Sequence, residues 1–261
     1  MNSRIFYRGP SQLDGSPILG IITGLETPST NAKTGDMLQT YILREDLPPP
    51  EAVRTGADRS VCGDCALRGD GISGLGRACY VQTKWAPLSV WKFVQAGELK
   101  EPRALTGWPP SDLPPRIIDR SIRLGTYGDP VAIPLERWEW LLQTAGGWTG
   151  YTHQWRDALA QPYREICMAS VDTIAQQDLA IYLGWRTFRT RGSIAEAVRW
   201  NEIVCPASAE WEAAGRRKIT CQQCQLCRGA SRPAKSIVII AHGSRAGKYG
   251  TQVLPFEEDQ L

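Results

Sequence analysis

Histidine is nearly missing from this chain. His153 and His242 are the only two among 261 residues, so a metal site has to be built mainly from thiolates, and no histidine pair stands at a spacing that supports hydrolytic metal chemistry. A hydrolytic centre drawn from His153, Asp172 and His242 is therefore the weakest reading of the polar residues. Long apolar runs are also lacking: nothing approaches the roughly 18 residues of a membrane span, and residues 1–10 carry no apolar signal core. The expected location is the cytoplasm, with no membrane partner. Charge of one sign is missing too. Thirty Lys and Arg stand against 27 Asp and Glu, which gives no bulk nucleic-acid footprint. The local clusters Arg186, Arg189, Arg191 and Arg216, Arg217, Lys218 read as solvated rims, with phosphate contact as the alternative. Internal repeats of 20–50 residues and low-complexity tracts are absent.

Eight cysteines are what the chain does have. Clustered cysteines in a chain without an export signal point to metal or redox chemistry rather than disulfides. The later group is the sharper one. Cys221, Cys224 and Cys227 fall within seven residues, and Cys205, followed by Pro206, supplies a fourth thiolate. Such spacing can wrap a tetrahedral zinc ion or the corners of an iron–sulfur cluster. The earlier group is Cys62-x2-Cys65, with Cys79 after thirteen intervening residues. Three thiolates can hold a cluster with one open iron, or zinc with a further ligand. Gly69, Gly71, Gly74 and Gly76 suit a loop wrapped closely around such a group. Cys167 stands alone in a strand pattern and reads as a small core residue.

The hydrophobic pattern predicts strands at 17–27 and 38–45, joined as a β-hairpin through the turn residues 31–36. Pro48, Pro49 and Pro50 are expected to break regular structure, and a loop then leads to Cys62. A helix is expected over 87–96 and irregular chain over 101–115. From residue 116 strands (116–130, 148–155, 165–172, 185–191, 202–208, 236–243) alternate with helices (134–145, 173–184) or crossovers. That rhythm implies parallel βαβ units. The expected class is α/β: a full or partial (β/α) barrel with an N-terminal β-hairpin and Cys-rich metal-binding loops. The expected division is hairpin and Pro-rich loop over 1–60, barrel over 61–243 and a tail over 244–261. In such barrels chemistry gathers at strand C-termini. There this chain has Tyr127-Gly128-Asp129, His153-Gln154, Ser170-Asp172, Arg189-Arg191, Cys205 and His242.

Lys33-Thr34-Gly35 in a hairpin, Cys79-Tyr80, the Gly128-Asp129-Pro130 turn and the late Cys-rich segment together resemble a family of phage and prophage proteins related to the radical SAM (S-adenosylmethionine) superfamily. The resemblance spans roughly residues 30–243. It implies a partial (β/α) barrel with its cluster cysteines after the first barrel strand, and a Gly-Gly-Glu-Pro-like element that contacts the SAM amino group. Tyr127-Gly128-Asp129-Pro130 resembles that element with Asp129 in place of glutamate. The superfamily hallmark is C-x3-C-x2-C; this chain carries C-x2-C-x13-C.

The first functional expectation is thus an enzyme. Cys62, Cys65 and Cys79 hold a [4Fe–4S] cluster, Gly128, Asp129, Ser170 and Asp172 border S-adenosylmethionine, and Cys205, Cys221, Cys224 and Cys227 hold zinc or a second cluster. A reductant protein is implied as a partner. A phage setting implies a modified nucleotide or DNA base as substrate, and the host cytoplasm as location. The competing expectation is a catalytically silent zinc-binding barrel that grips single-stranded nucleic acid with its arginines and ten tryptophans. Asp129 also has a plainer reading, as the cap of the helical turn that follows it.

Overall fold

The computed structural model describes residues 2–70, 76–97 and 117–249. The expected irregular segment over 101–115, with Gly71 and Gly74 of the early cysteine loop, lies outside them.

The fold is mixed α/β, with two five-stranded sheets. The first runs in the order β1 (Ser3–Pro10), β2 (Pro17–Thr23), β3 (Leu38–Arg44), β4 (Ser121–Tyr127), β5 (Gly147–Thr149). The expected hairpin is β2–β3, antiparallel from Ile18↔Arg44 to Thr23↔Gln39. Its turn is held by Asn31, whose Oδ1 accepts from the Lys33 and Thr34 amides. Strand β1 adds a third antiparallel member that the sequence reading did not contain. Its register shifts between Ile5 and Tyr7, so Ile5, Phe6 and Tyr7 are all buried in succession. A bulge of this kind erases the alternation by which a half-buried strand is recognised.

From β3 onward the pairing is parallel, β3 with β4 and β4 with β5. The second sheet is wholly parallel, in the order β6 (Tyr151–Thr152), β7 (Met168–Val171), β8 (Thr187–Arg191), β10 (Ser236–Ile240), β9 (Glu202–Val204). Gly150 alone separates β5 from β6; its amide donates to the Cys227 carbonyl and its carbonyl accepts from Met168. Among the described residues no pairing joins β9 to β1, so the sheets do not close on one another there.

Helix α1 (Pro49–Arg54) and helix α2 (Arg59–Cys62) occupy the stretch expected to be loop. Prolines break a helix interior but start a helix well, because the missing amide lies in the unbonded first turn; here they sit at the first positions of α1. Helix α3 (Ala86–Gln95) likewise begins with Pro87 in its first turn. Helix α4 (Leu135–Leu142) seats Trp138 in the core, its indole donating to Pro130 O at 2.8 Å. Helix α5 (Ile174–Tyr182) is capped by Thr173, which accepts from the Gln176 amide. Two short helices, α6 (Ala209–Ala213) and α7 (Cys221–Cys224), follow β9. The main core joins both sheets through Ile42, Leu124, Trp138, Trp155 and Val171. Among the described residues no helix is long and apolar enough to cross a membrane.

Arg186, just before β8, and the β8 residues Arg189 and Arg191 are neither a solvated rim nor free for phosphate. Arg186 donates to the carbonyls of Leu226, Gly229, Ala234 and Lys235. Arg191 pairs with Glu210. Arg189, buried, is bound by both oxygens of buried Glu202 at 2.8 Å. Glu202 also accepts from Gln177 and from the Arg199 amide. The second cluster, Arg216 to Lys218, is exposed as expected. Glu202→Gln removes the buried counter-charge of Arg189, leaving it only the longer pair with solvent-exposed Glu196 at 3.5 Å, and is expected to cost about 3–5 kcal/mol in denaturant unfolding. Burial alone raises the Glu202 pKa, but the Arg189, Arg199 and Gln177 hydrogen bonds and the Arg189 charge outweigh it, and the net shift is downward. The stabilisation is therefore complete above the ordinary glutamate value and is lost as pH falls through the folded-state one. A wild-type and variant pair equally stable at neutral pH would refute this account.

Candidate metal centre

Parallel strands place their C-termini along one edge, and of the groups expected there Tyr127, Gly128, Asp129, His153, Ser170, Cys205 and His242 line one cavity, whereas Gln154, Asp172, Arg189 and Arg191 do not. This cavity of about 180 Å³ is lined by the ends of β4, β6, β7, β8, β9 and β10 and by seven of the eight cysteines. Cys62, Cys65 and Cys79 line it, and so do Cys205, Cys221, Cys224 and Cys227. The eighth, Cys167, is fully buried in the core as expected.

The early group is shaped by a buried ion network that the sequence did not advertise. Asp58, at the start of α2, accepts from Arg68 Nη2 at 2.6 Å and Arg68 Nε at 3.1 Å, and from Arg77 Nη1 at 3.3 Å. All three residues are buried. Arg68 also donates to the Gly56 and Gly63 carbonyls, and Asp58 O accepts from the Cys62 amide. Leu67 O takes the amides of Ala78 and Cys79, which brings Cys79 back beside the helix carrying Cys62. Gln154, after β6, clamps the same loop: its Nε2 donates to Cys62 O and its Oε1 accepts from Asp64 N.

The late group is built on the hairpin turn. Thr220 and Gln223 form a reciprocal capping box at the start of α7. The Cys221 amide donates to Lys33 O, the Gln222 amide to Thr34 O, and Gln222 Oε1 accepts from Asp36 N. Cys205 follows β9 and donates its amide to Val238 O.

Burial pushes the thiol pKa values up: Cys62 and Cys227 strongly, Cys65 to about 12, Cys205 to about 11, Cys79 and Cys224 less. Thiols of one group lie close enough to feel each other's charge. Among the described residues no group of three or more His, Cys, Asp or Glu side chains is placed closely enough to hold a metal ion, so either thiol group would have to draw together to take one. A metal would displace the thiol protons, and its binding energy would offset the burial of charge.

The surroundings of the early group suit an anionic thiolate cluster. Arg77 Nε and Nη2 and Tyr127 Oη are buried with no hydrogen-bond partner among the described residues. Arg77 acts electrostatically on Cys62, Cys79 and Tyr127. Buried N–H groups left without acceptors are costly, and sulfur carrying negative charge beside Arg77 would supply them.

Of the expected cofactor-binding residues, Gly128, Asp129 and Ser170 line the cavity. Asp172 accepts at Oδ1 from Tyr249 Oη, and Tyr249 lines it. Asp129 is a cap and more than a cap. Oδ1 accepts from Val131 N at 3.1 Å, and Oδ2 accepts from His153 N at 2.8 Å. Asparagine, with one acceptor oxygen, cannot replace both, so the cap reading does not make Asp129→Asn silent. The glycines of this turn serve the chain's own packing. At Gly125 (φ +61°) a Cβ would meet Gly128 O at 2.5 Å, and at Gly128 (φ +89°) it would meet the Ile42 Cβ at 2.6 Å. Both still line the cavity, but a side chain at either would meet backbone or Ile42.

Residues not singled out from sequence also face the cavity, Arg123 and Tyr151 among them. Arg123 had one legible signal: a charged residue flanked by Ile122 and Leu124 inside a strand pattern. No family model, no curated protein and no solved structure matches this chain.

Proposed function

We propose that the protein is an iron–sulfur enzyme of radical SAM type, built on a partial (β/α) barrel. One observation carries the reading: a group of three thiols and a group of four line the same cavity at the C-terminal ends of parallel strands. Three thiolates on a four-iron cluster leave one iron for a small molecule, whereas four thiolates close a site. Cys62, Cys65 and Cys79 are therefore assigned to a [4Fe–4S] cluster, with Arg77 and Tyr127 as its hydrogen-bond donors. Cys205, Cys221, Cys224 and Cys227 are assigned to a structural zinc or second cluster. The chemistry the cluster supplies when bound is one-electron reductive cleavage of S-adenosylmethionine, for which an electron-donor protein is required.

The chain's own residues orient and enclose. Asp129, held by the Val131 and His153 amides and by the Thr152 hydroxyl, is assigned to the ammonium group of the cofactor through its remaining acceptor capacity, a charge-assisted bond. Gly128 and Ser170 border the same space, and Asp172 stands behind Tyr249, whose hydroxyl donates to it.

The test is anaerobic purification with iron, sulfide, zinc and absorption measurements, followed by calorimetric titration of S-adenosylmethionine. Wild type is expected to hold one oxygen-sensitive four-iron cluster. Cys65→Ala is expected to lose that cluster while the late-site metal and the cooperative melt remain. Protein that takes up zinc alone under iron-loading conditions, or that binds no S-adenosylmethionine with its cluster intact, would sink the proposal.

A further inference from the structure

Beside the late thiol group stand two cations. Lys33, in the hairpin turn, and Arg123, on β4, both line the main cavity. They also line a second, outer cavity, together with Tyr80. Among the described residues neither forms an ion pair with a carboxylate; their strongest electrostatic neighbours are each other, cysteines and tyrosines. Two like charges held side by side repel, and an anion that meets both relieves the repulsion.

Their other contacts are aromatic and fix them in place. Arg123 Nη2 donates to Tyr80 Oη at 2.9 Å, and its guanidinium lies 5.5 Å from the centre of the Tyr151 ring. Tyr80 stacks on His242 with centroids 5.8 Å apart. Lys33 Nζ lies 2.9 Å from His242 Nε2, and His242 Nδ1 lies 3.2 Å from Ile240 O. The neutral tautomer with its proton on Nδ1 satisfies both contacts, and burial together with the Lys33 charge holds the His242 pKa down, so His242 adds no charge. On the outer side, Trp85 is 73% exposed and lines the second cavity with Tyr41. The cation pair thus has flat rings on its inner and its outer side. A phosphate joined to a planar base presents the same order of groups, and stacking on aromatics is how bases are held without sequence readout.

We propose that Lys33 and Arg123 bind the phosphate of a nucleotide substrate whose base enters the cavity between the two cysteine groups. This rests on the reading of that cavity as the working site. A free nucleotide and a nucleotide within a single strand share this chemistry.

The experiment uses metal-loaded full-length protein and calorimetry. The probes are the four deoxynucleoside 5′-monophosphates, their nucleosides, and a ten-nucleotide single strand of mixed sequence. At least one monophosphate, or the strand, is expected to bind at least about tenfold more tightly than any nucleoside, as a charge-assisted contact requires. The tighter of the two binders identifies the source of the phosphate. Lys33→Gln and Arg123→Gln are each expected to weaken that binding about tenfold while metal content stays at the wild-type level. Equal affinity for nucleotides and nucleosides overturns the assignment. So does loss of late-site metal in either variant, because the cations would then serve only to balance thiolate charge. Metal-loaded wild type that binds no nucleotide overturns it too, while its metal content leaves the cluster reading standing.

Discussion

Replacing Cys221 with serine is expected to remove the late-site metal and to lower the unfolding free energy by several kcal/mol. The thiol is buried, and its helix has few means of staying in place without the metal. α7 spans only Cys221–Cys224, shorter than any helix that is stable alone, and it ends at Gln225 with a positive φ. Backbone bonds to Lys33 and Thr34 hold one side of it; the thiolates are assigned to hold the other. Thiolate–metal binding in small sites is worth on the order of 10 kcal/mol of folding free energy, and losing one of four ligands forfeits a large part of it. Serine keeps the size and the backbone bonds, so the deficit reports the metal. Cys167→Ser is the control. It buries a hydroxyl in the core and is expected to cost about 1–3 kcal/mol with metal content unchanged. Mass spectrometry under native conditions, paired with thermal melts, reads both. A Cys221→Ser protein that melts with wild type and carries full metal would remove Cys221 from the ligand set.

The second large effect is expected at Asp58. Its carboxylate is the shared counter-charge of Arg68 and Arg77, all three of them buried. Asp58→Ala strands two guanidinium groups, and breaking one side of a buried pair costs about 3–5 kcal/mol. The consequence reaches the early thiols, because Arg68 also ties down the Gly56 and Gly63 carbonyls on either side of α2. Iron in the early site is expected to fall well below one cluster per chain, with late-site metal retained. Arg77→Met separates the two effects. It removes a buried charge instead of stranding one, so its stability loss is expected to be smaller, while the early cluster loses its N–H donors and its iron. Full iron occupancy in both variants would mean that this network does not serve the early site.

The elements that sequence revealed are those governed by local pattern. β2, β3 and β10 are apolar runs between turn residues, and α5 has both a Thr cap and a terminal glycine. The convergence of strand ends on one cavity followed from the βαβ rhythm alone. What escaped is set by distant partners. Arg189 looks like a surface arginine until Glu202 arrives from another strand. Asp58, Arg68 and Arg77 occupy a stretch with no periodicity, and their meeting depends on how a loop folds back. α1 was hidden by its own prolines, which mark a start as readily as a stop. The cysteine spacing revealed two groups, but no spacing within either could reveal that they share a cavity.

The contact between the hairpin turn and α7 also bears on the order in which the chain assembles. Asp36 and Gln222 are 186 residues apart in sequence yet bonded in space. Contacts so distant raise contact order and are entropically expensive to nucleate. On the ribosome the turn emerges while most of the chain is still unmade, and its carbonyls at Lys33 and Thr34 wait in water for amides translated far later. The late thiols reach their seat only after residue 227 has been made, so a metal held there as proposed would be captured only once synthesis has passed that point.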